Sequence, residues 1–379
     1  MSKADSRALL RQIGVAARPA GSAAESRARN LCAAWLLDAG FVVQERPFEY
    51  SALPGRWGTP IAGLTLLLTA LVAGAGIARG PATSDRTLAG ALLALTVVAL
   101  AGWWTGRYGT RLLPFMRRQG VNLEARRGTP TVWLTAHLDS KSQPFSLLAR
   151  AAAAVVVAVS WSCVLIAWGV SLVVAVPNGF LLVLVGCAAV AAVPLVGSWV
   201  GIQGDGALDN ASGVVSILGA VSLLDPAAPV GVVITSAEEF GLAGARAWVE
   251  DVPVSVTINC DGVDDRGSLT ITSGPVGRDL WRASGVLGAD VRIRRNLPGV
   301  LLDSTAFSDR GWTACTVSQG TPASLARVHT ARDTLAELSG RGIERVSGVI
   351  AALAGAIIAS SSGPECQKRG SRNTWNDKD

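Results

Sequence analysis

Histidine is scarce in this chain: its 379 residues contain only His137 and His329. Tyrosine is equally rare, at Tyr50 and Tyr108. Charge is thin as well. Only 16% of residues are charged and 50% are hydrophobic, whereas a soluble domain carries about 25% charged residues. That deficit excludes an ordinary water-facing surface along the whole chain and points to lipid. The six cysteines show no paired spacing and no CxxC. This argues against a disulfide framework and fits free thiols in a reducing compartment. Met1 to Gly14 reads as an amphipathic helix and lacks the apolar core of a cleavable signal peptide. The net charge of +6 is not gathered into a basic run with interleaved aromatics, so no nucleic-acid partner is expected.

What the chain has in abundance is long uncharged runs. Trp57 to Ala78 and Thr87 to Gly106 carry no charge. Nor does Ala151 to Gly204, which Pro177-Asn178-Gly179 breaks in the middle. A helix needs about 20 apolar residues to cross the hydrocarbon core, so these runs predict two transmembrane α-hairpins, 57–106 and 149–202, with four crossings. Trp57, Trp103, Trp104 and Trp199 lie near segment ends, where indole favours the interface. Val346 to Ala359 is shorter and rich in small residues, and reads as a core helix rather than a fifth span. With an even number of crossings, every polar piece lies on one side. That side is flanked by Arg56, Arg107, Arg111, Arg117, Arg118 and Arg150, against Arg79, Asp85 and Arg86 opposite. The positive-inside rule then predicts a multi-pass protein of the inner (plasma) membrane with its polar pieces in the cytoplasm.

Three polar pieces, 1–56, 107–148 and 203–361, remain to form one discontinuous domain, followed by a polar, disordered tail at 362–379. Ser22 and Glu25 have capping-box spacing and open a helix that stops near Gly40. Phe41 to Tyr50, Val121 to Ala125 and Thr131 to Ala136 read as strands. Beyond Asp205, strand-like runs (Val230 to Thr235, Val254 to Asn259, Ser268 to Thr272, Thr313 to Ser318) alternate with helical stretches. This alternation predicts an α/β sandwich with a mostly parallel central sheet.

Chemistry-bearing residues fall at ends of these elements. His137 lies in Thr135-Ala136-His137-Leu138-Asp139-Ser140, and His329 in Val328-His329-Thr330-Ala331-Arg332-Asp333-Thr334. Between them come Asp209-Asn210-Ala211-Ser212-Gly213, the pair Glu238-Glu239, and Asn259-Cys260-Asp261. Two imidazoles and three separated carboxylates suit a pair of zinc ions, which sit about 3.5–4 Å apart when they share a carboxylate. Asp139, two residues after His137, is expected to orient that imidazole, and Asp333 either to do the same for His329 or to cap the following helix. Asn210-Ala211-Ser212 also matches a glycosylation sequon, discounted because the same residues belong to the site.

Taken in this order, the five motifs resemble the M28 family of co-catalytic zinc peptidases, best known from bacterial aminopeptidases. The resemblance covers the three polar pieces and none of the crossings. It implies a three-layer zinc-exopeptidase-like fold and two Zn²⁺ ions. Asp209 is then the bridging ligand, His137 and Asp261 complete one ion, and Glu239 and His329 the other. Glu238 is the general base, acting on a metal-bound hydroxide that attacks a peptide substrate at its N-terminal residue. Asp303, in Leu302-Asp303-Ser304, matches a pocket-forming segment. The chain departs from the pattern in two ways. No tyrosine follows the Glu pair, leaving the metals, a backbone amide or a side chain such as Ser304 to steady an oxyanion. The second hairpin also separates His137 from Asp209. Its tethers, 140–148 and 200–208, are short, so the cleft is expected to face the bilayer and to receive peptides released there. Manganese or cobalt suits similar ligands. Two other readings use the same residues: a catalytically inactive membrane scaffold, and a single-zinc acyltransferase that cyclises N-terminal glutamine. A transporter is disfavoured because the crossings hold no ionisable residue.

Overall fold

The computed structural model describes residues 3–274, 277, 285, 288, 290–296 and 300–361; the polar tail lies outside them. Among the described residues, eight strands form one sheet: β1 (Val42–Ser51), β2 (Arg117–Arg127), β3 (Val132–His137), β4 (Val230–Thr235), β5 (Val256–Val263), β6 (Ser268–Ser273), β7 (Val291–Arg295) and β8 (Thr313–Gly320). Their order is β1-β2-β4-β3-β5-β8-β6-β7. The middle, β4-β3-β5-β8, is parallel, with Leu134 opposite Val232 and Ile258, and Ile258 opposite Cys315. Every residue of β3 and β4 is buried, as expected of parallel strands covered on both faces. Antiparallel pairing appears only toward the margins, at β1–β2, β2–β4 and β6–β8. β7 escapes sequence reading because Val291-Arg292-Ile293-Arg294-Arg295 is an edge strand whose alternate residues are arginines, a usual defence of an open edge.

Helices cover both faces of the sheet. On one side lie α1 (Lys3–Ile13), α2 (Ala23–Asp38), α7 (Ser212–Leu223) and α10 (Arg341–Ser361). Leu10, Ile13, Leu36, Val214, Ile217, Val346 and Ile350 join Leu134, Ile258 and Val317 in one core. On the other side, α8 (Ala243–Trp248) and α9 (Asp303–Ser308) enclose a cluster of Trp133, Trp248, Phe307 and Trp312. Trp133 and Trp248 meet edge to face at 4.7 Å, a favoured aromatic geometry.

Four further helices form a separate bundle: α3 (Leu53–Ala78), α4 (Pro81–Trp104), α5 (Leu147–Ser171) and α6 (Asn178–Val196). α3, α4 and α5 each start four to six residues earlier than their uncharged runs, and α6 starts at the Pro177-Asn178-Gly179 break. Pro54 and Pro81 sit in first turns, where a missing N–H costs nothing. The bundle has its own core, including Ala70, Ala73, Leu88, Val157, Trp161, Val185 and Ala188. Gly63 is where α3 and α6 touch: a Cβ there meets the Val196 nitrogen at 2.5 Å, a small-residue contact of the kind helices use in lipid. Outward-facing Leu64, Leu68, Val97, Ile166 and Val190 are exposed. Among the described residues, five helices are long and apolar enough to cross a membrane. In the fifth, α10, half of the apolar window is buried, against 11–28% in the other four, and its inner face belongs to the sheet core.

Both hairpins leave the sheet at the same edge. β1 ends at Ser51, opposite Arg117 at the start of β2. Because β2 runs antiparallel to β4, with Leu123 opposite Ile234, that point lies beyond the C-terminal end of β4. The second hairpin follows the C-terminal end of β3. This is the edge at which open α/β sheets place ligands.

Candidate metal centre

The C-terminal ends of three neighbouring strands deliver the first site residues. β3 ends on His137. After β4 the chain turns sharply, with Ala237 in the left-handed region at φ +56° and Gly241 at φ +95°, and places Glu238–Phe240 in a single 3-10 turn. Asp261 lies in β5 where its register with β8 shifts, between Cys260 and Val263. Asp209 comes from the loop before α7, and His329, at φ +61°, from the loop after β8.

These residues converge. The two oxygens of the Asp209 carboxylate face different imidazoles: Oδ1 lies 3.1 Å from His137 Nε2 and Oδ2 lies 2.9 Å from His329 Nε2. His137 Nε2 is also 3.5 Å from Asp261 Oδ1, and His329 Nε2 is 2.9 Å from Glu239 Oε1. Donor atoms of His137, Glu238 and Asp261 form one group within 4.8 Å of one another, and those of Asp209, Glu239 and His329 form a second.

A layer of hydrogen bonds holds this arrangement. Asp139, fully buried, differs from expectation. Its backbone carbonyl, not its carboxylate, takes the His137 Nδ1–H at 3.0 Å. Its carboxylate instead accepts the Glu238 and Glu239 amides at 3.0 and 3.2 Å, fastening the acidic turn to the end of β3. Asp333 likewise serves backbone: it accepts the Leu208 and Asp209 amides at 2.6 and 3.0 Å and so fixes the Asp209 loop. Asn210 is fully buried and donates to the Cys260 carbonyl at 2.9 Å, which removes it as a glycan acceptor. Ser304 is buried, with its hydroxyl 2.6 Å from Thr316 Oγ1, so it does not line the cleft. Asp303 accepts the Thr235 hydroxyl at 2.5 Å.

Sequence reasoning missed six residues. Arg18, 1% exposed, donates to the carbonyls of Leu138 (2.9 Å), Asp205 (2.8 Å) and Gly206 (2.7 Å), and to Ile13 and Ala16. It thus staples the two ends of the second hairpin beside His137 and Asp209. Ser142 and Gly201 exchange backbone hydrogen bonds of 3.0 and 2.7 Å across the same neck. Gly55, in the first turn of α3, lies so close to the acidic turn that a Cβ meets Phe240 Cα at 2.4 Å. Lys141 pairs with Glu239 Oε2 at 2.8 Å, and Arg150 Nη2 donates to His329 Nδ1 at 2.6 Å. The spacing of an isolated basic residue gave no signal for either contact.

The electrostatics follow from burial. Burial pushes the Glu238 carboxyl well above the usual range; His137 opposes this, while Glu239, Asp261 and Asp303 add to it. Burial also raises Glu239, but His329 and Lys141 outweigh it and hold the group down at about 2. Burial raises the Asp209 carboxyl, but the two imidazoles beside it outweigh burial and hold it well below its ordinary value. Burial lifts Asp303 to about 7.

The model for peptidase family M28 matches residues 121–354. The chain belongs to peptidase family M28. Solved structures share the fold. The aminopeptidase of Aneurinibacillus sp. strain AM-1 is 15% identical, with a TM-score of 0.52 and 93% of each chain covered. The zinc aminopeptidase of Bacillus subtilis is 13% identical, with a TM-score of 0.53 over 93% of this chain and 94% of that one. The glutaminyl cyclase of Porphyromonas gingivalis is 12% identical, with a TM-score of 0.52 over 95% and 98%. Among curated proteins none matches in sequence. The residues gathered here fit a metal: His137 Nε2 is buried with no hydrogen-bond partner, a state that buried polar atoms avoid unless something else binds them.

Arg18→Met removes five side-chain hydrogen bonds, three of them to carbonyls of the hairpin neck. At about 1–3 kcal/mol for each carbonyl left bare, the full-length protein is expected to melt at a markedly lower temperature. Arg27→Met, at an exposed position, is expected to leave the melt unchanged. Equal melting of the two variants in differential scanning fluorimetry contradicts the staple.

Proposed function

We propose that this M28 chain is a membrane-anchored zinc-dependent metallopeptidase that removes N-terminal residues from peptides. The observation that carries the reading is one carboxylate, Asp209, lying between two imidazoles with Glu238 beside them. His137, Asp209 and Asp261 would hold one Zn²⁺, and Asp209, Glu239 and His329 a second. Bound there, the ions supply Lewis-acid polarisation of the scissile carbonyl and acidify water. Everything else is done by side chains. Glu238 takes a proton from the attacking water and later delivers it to the leaving amine. Burial, which raises its carboxyl pKa, favours uptake of that proton, and Asp139 holds its backbone in place. Phe240, packed on Tyr50 at 5.8 Å, and Gly55 close the acidic turn against α3, which limits water around Glu238.

The bilayer enters the same reading. The four helices of the bundle cross the inner membrane, with the peptidase domain on the cytoplasmic side, where the arginines concentrate. Both hairpins leave at the sheet edge that carries the site, and the foot of α5 touches His329 through Arg150. The cleft therefore faces the membrane surface, and the substrates are peptides released there.

A panel of aminoacyl fluorogenic substrates tests the chemistry. Detergent-purified wild type is expected to turn over at least one of them, and Glu238→Ala to lose about 10²- to 10⁴-fold while keeping its zinc. Equal turnover contradicts the role of Glu238; one zinc with cyclisation of N-terminal glutamine contradicts the peptidase assignment. The position of the cleft is tested with Mn²⁺ in the reconstituted protein. Broadening of lipid phosphorus resonances is expected, and a metal too remote to affect them contradicts a membrane-facing cleft.

A further inference from the structure

The two metal positions are not equivalent, and the difference lies in what faces the far side of each imidazole. His137 Nδ1 donates to a backbone carbonyl, that of Asp139, at 3.0 Å. Its proton is thereby fixed on Nδ1, and the Nε2 lone pair points between Asp209 and Asp261. That is the arrangement a ligating histidine needs, and a carbonyl acceptor strengthens the ligand. His329 has the opposite partner. A guanidinium only donates, so Arg150 Nη2, 2.6 Å from Nδ1, requires a lone pair on Nδ1. In the neutral ring the proton is then on Nε2, the atom that must bind the ion. Coordination at Nε2 moves that proton to Nδ1, where it meets an N–H of Arg150, so the contact must break.

Charge adds to the asymmetry. Lys141 Nζ sits 2.8 Å from Glu239 Oε2, so the Asp209–Glu239–His329 position has two cations against it. Among the described residues no lysine or arginine pairs with Glu238 or Asp261.

We infer that Arg150, in the first turn of α5, is a positioning residue that makes the Asp209–Glu239–His329 position the weaker of the two and ties its filling to the foot of the second hairpin. The inference rests on the dimetal reading above. Loss of one charge-assisted hydrogen bond corresponds to an affinity about ten- to a hundredfold lower than at the His137 position. Filling that position releases Arg150 from His329, leaving its hydrogen bond to the Phe145 carbonyl (3.2 Å).

The presence of only two histidines makes this directly measurable. Chelator-treated, full-length protein with ¹⁵N-labelled histidine is titrated with Zn²⁺ in detergent, with long-range ¹H–¹⁵N spectra and calorimetry as readouts. The first equivalent is expected to shift His137 alone and the second His329, with dissociation constants at least about tenfold apart. Arg150→Met is expected to tighten the second step by about tenfold or more and leave the first within about twofold; Lys141→Gln acts in the same direction by an independent route. Simultaneous shifts of both histidines, filling of His329 first, or a second step that neither substitution changes overturns the inference. If no Zn²⁺ binds at all, the dimetal reading falls with it.

Discussion

Negative charge buried in one place constrains the rest of this molecule. Asp139, Asp209, Glu238, Glu239, Asp261, Asp303 and Asp333 gather at one end of the sheet. Among the described residues, the basic side chains that touch them are His137, His329 and Lys141. Desolvated carboxylates at close range repel strongly, because neither water nor distance screens them. The fold deals with part of that charge locally: Asp139 and Asp333 each accept two backbone amides, and Asp303 accepts a hydroxyl. What remains, on Asp209, Glu238, Glu239 and Asp261, surrounds the imidazole nitrogens. A cluster of this kind suits a metal cation.

The same constraint explains how the chain tolerates its insertions. A bundle of four apolar helices interrupts the M28 domain twice, once between β1 and β2 and once between His137 and Asp209. Closing a long insertion costs little more than closing a short one, but the ends must meet accurately where ligands flank them. Arg18 does this with one guanidinium shared among carbonyls on both sides of the neck, and the Ser142–Gly201 pairing repeats the closure nearer the bundle. The first hairpin also presses Gly55 onto the acidic turn.

Much of this was legible in the sequence because the signals were compositional or local. Uninterrupted uncharged runs defined the bundle, and β4 was bounded to the residue because Val230 to Thr235 is a continuous apolar run between turns. Asp209 stood among small and turn-forming neighbours, in Asp209-Asn210-Ala211-Ser212-Gly213. Contacts made across the insertions had no such local mark. Arg18, Lys141 and Arg150 look like ordinary solvated cations in the linear chain, and their partners lie far away or on the opposite side of a hairpin. The expected role of Asp139 was displaced for a related reason: a strand that ends at His137 turns its next carbonyl onto the ring, which frees the carboxylate to reach Glu238 and Glu239.

The account depends most on Asp209 joining two ions with its two oxygens. Zinc-edge X-ray absorption of the fully loaded, full-length protein tests this directly. A zinc–zinc vector at about 3.5–4 Å, absent when His329 is replaced by alanine, is the predicted result. Two fully occupied but isolated zinc ions, with no such vector, would contradict it.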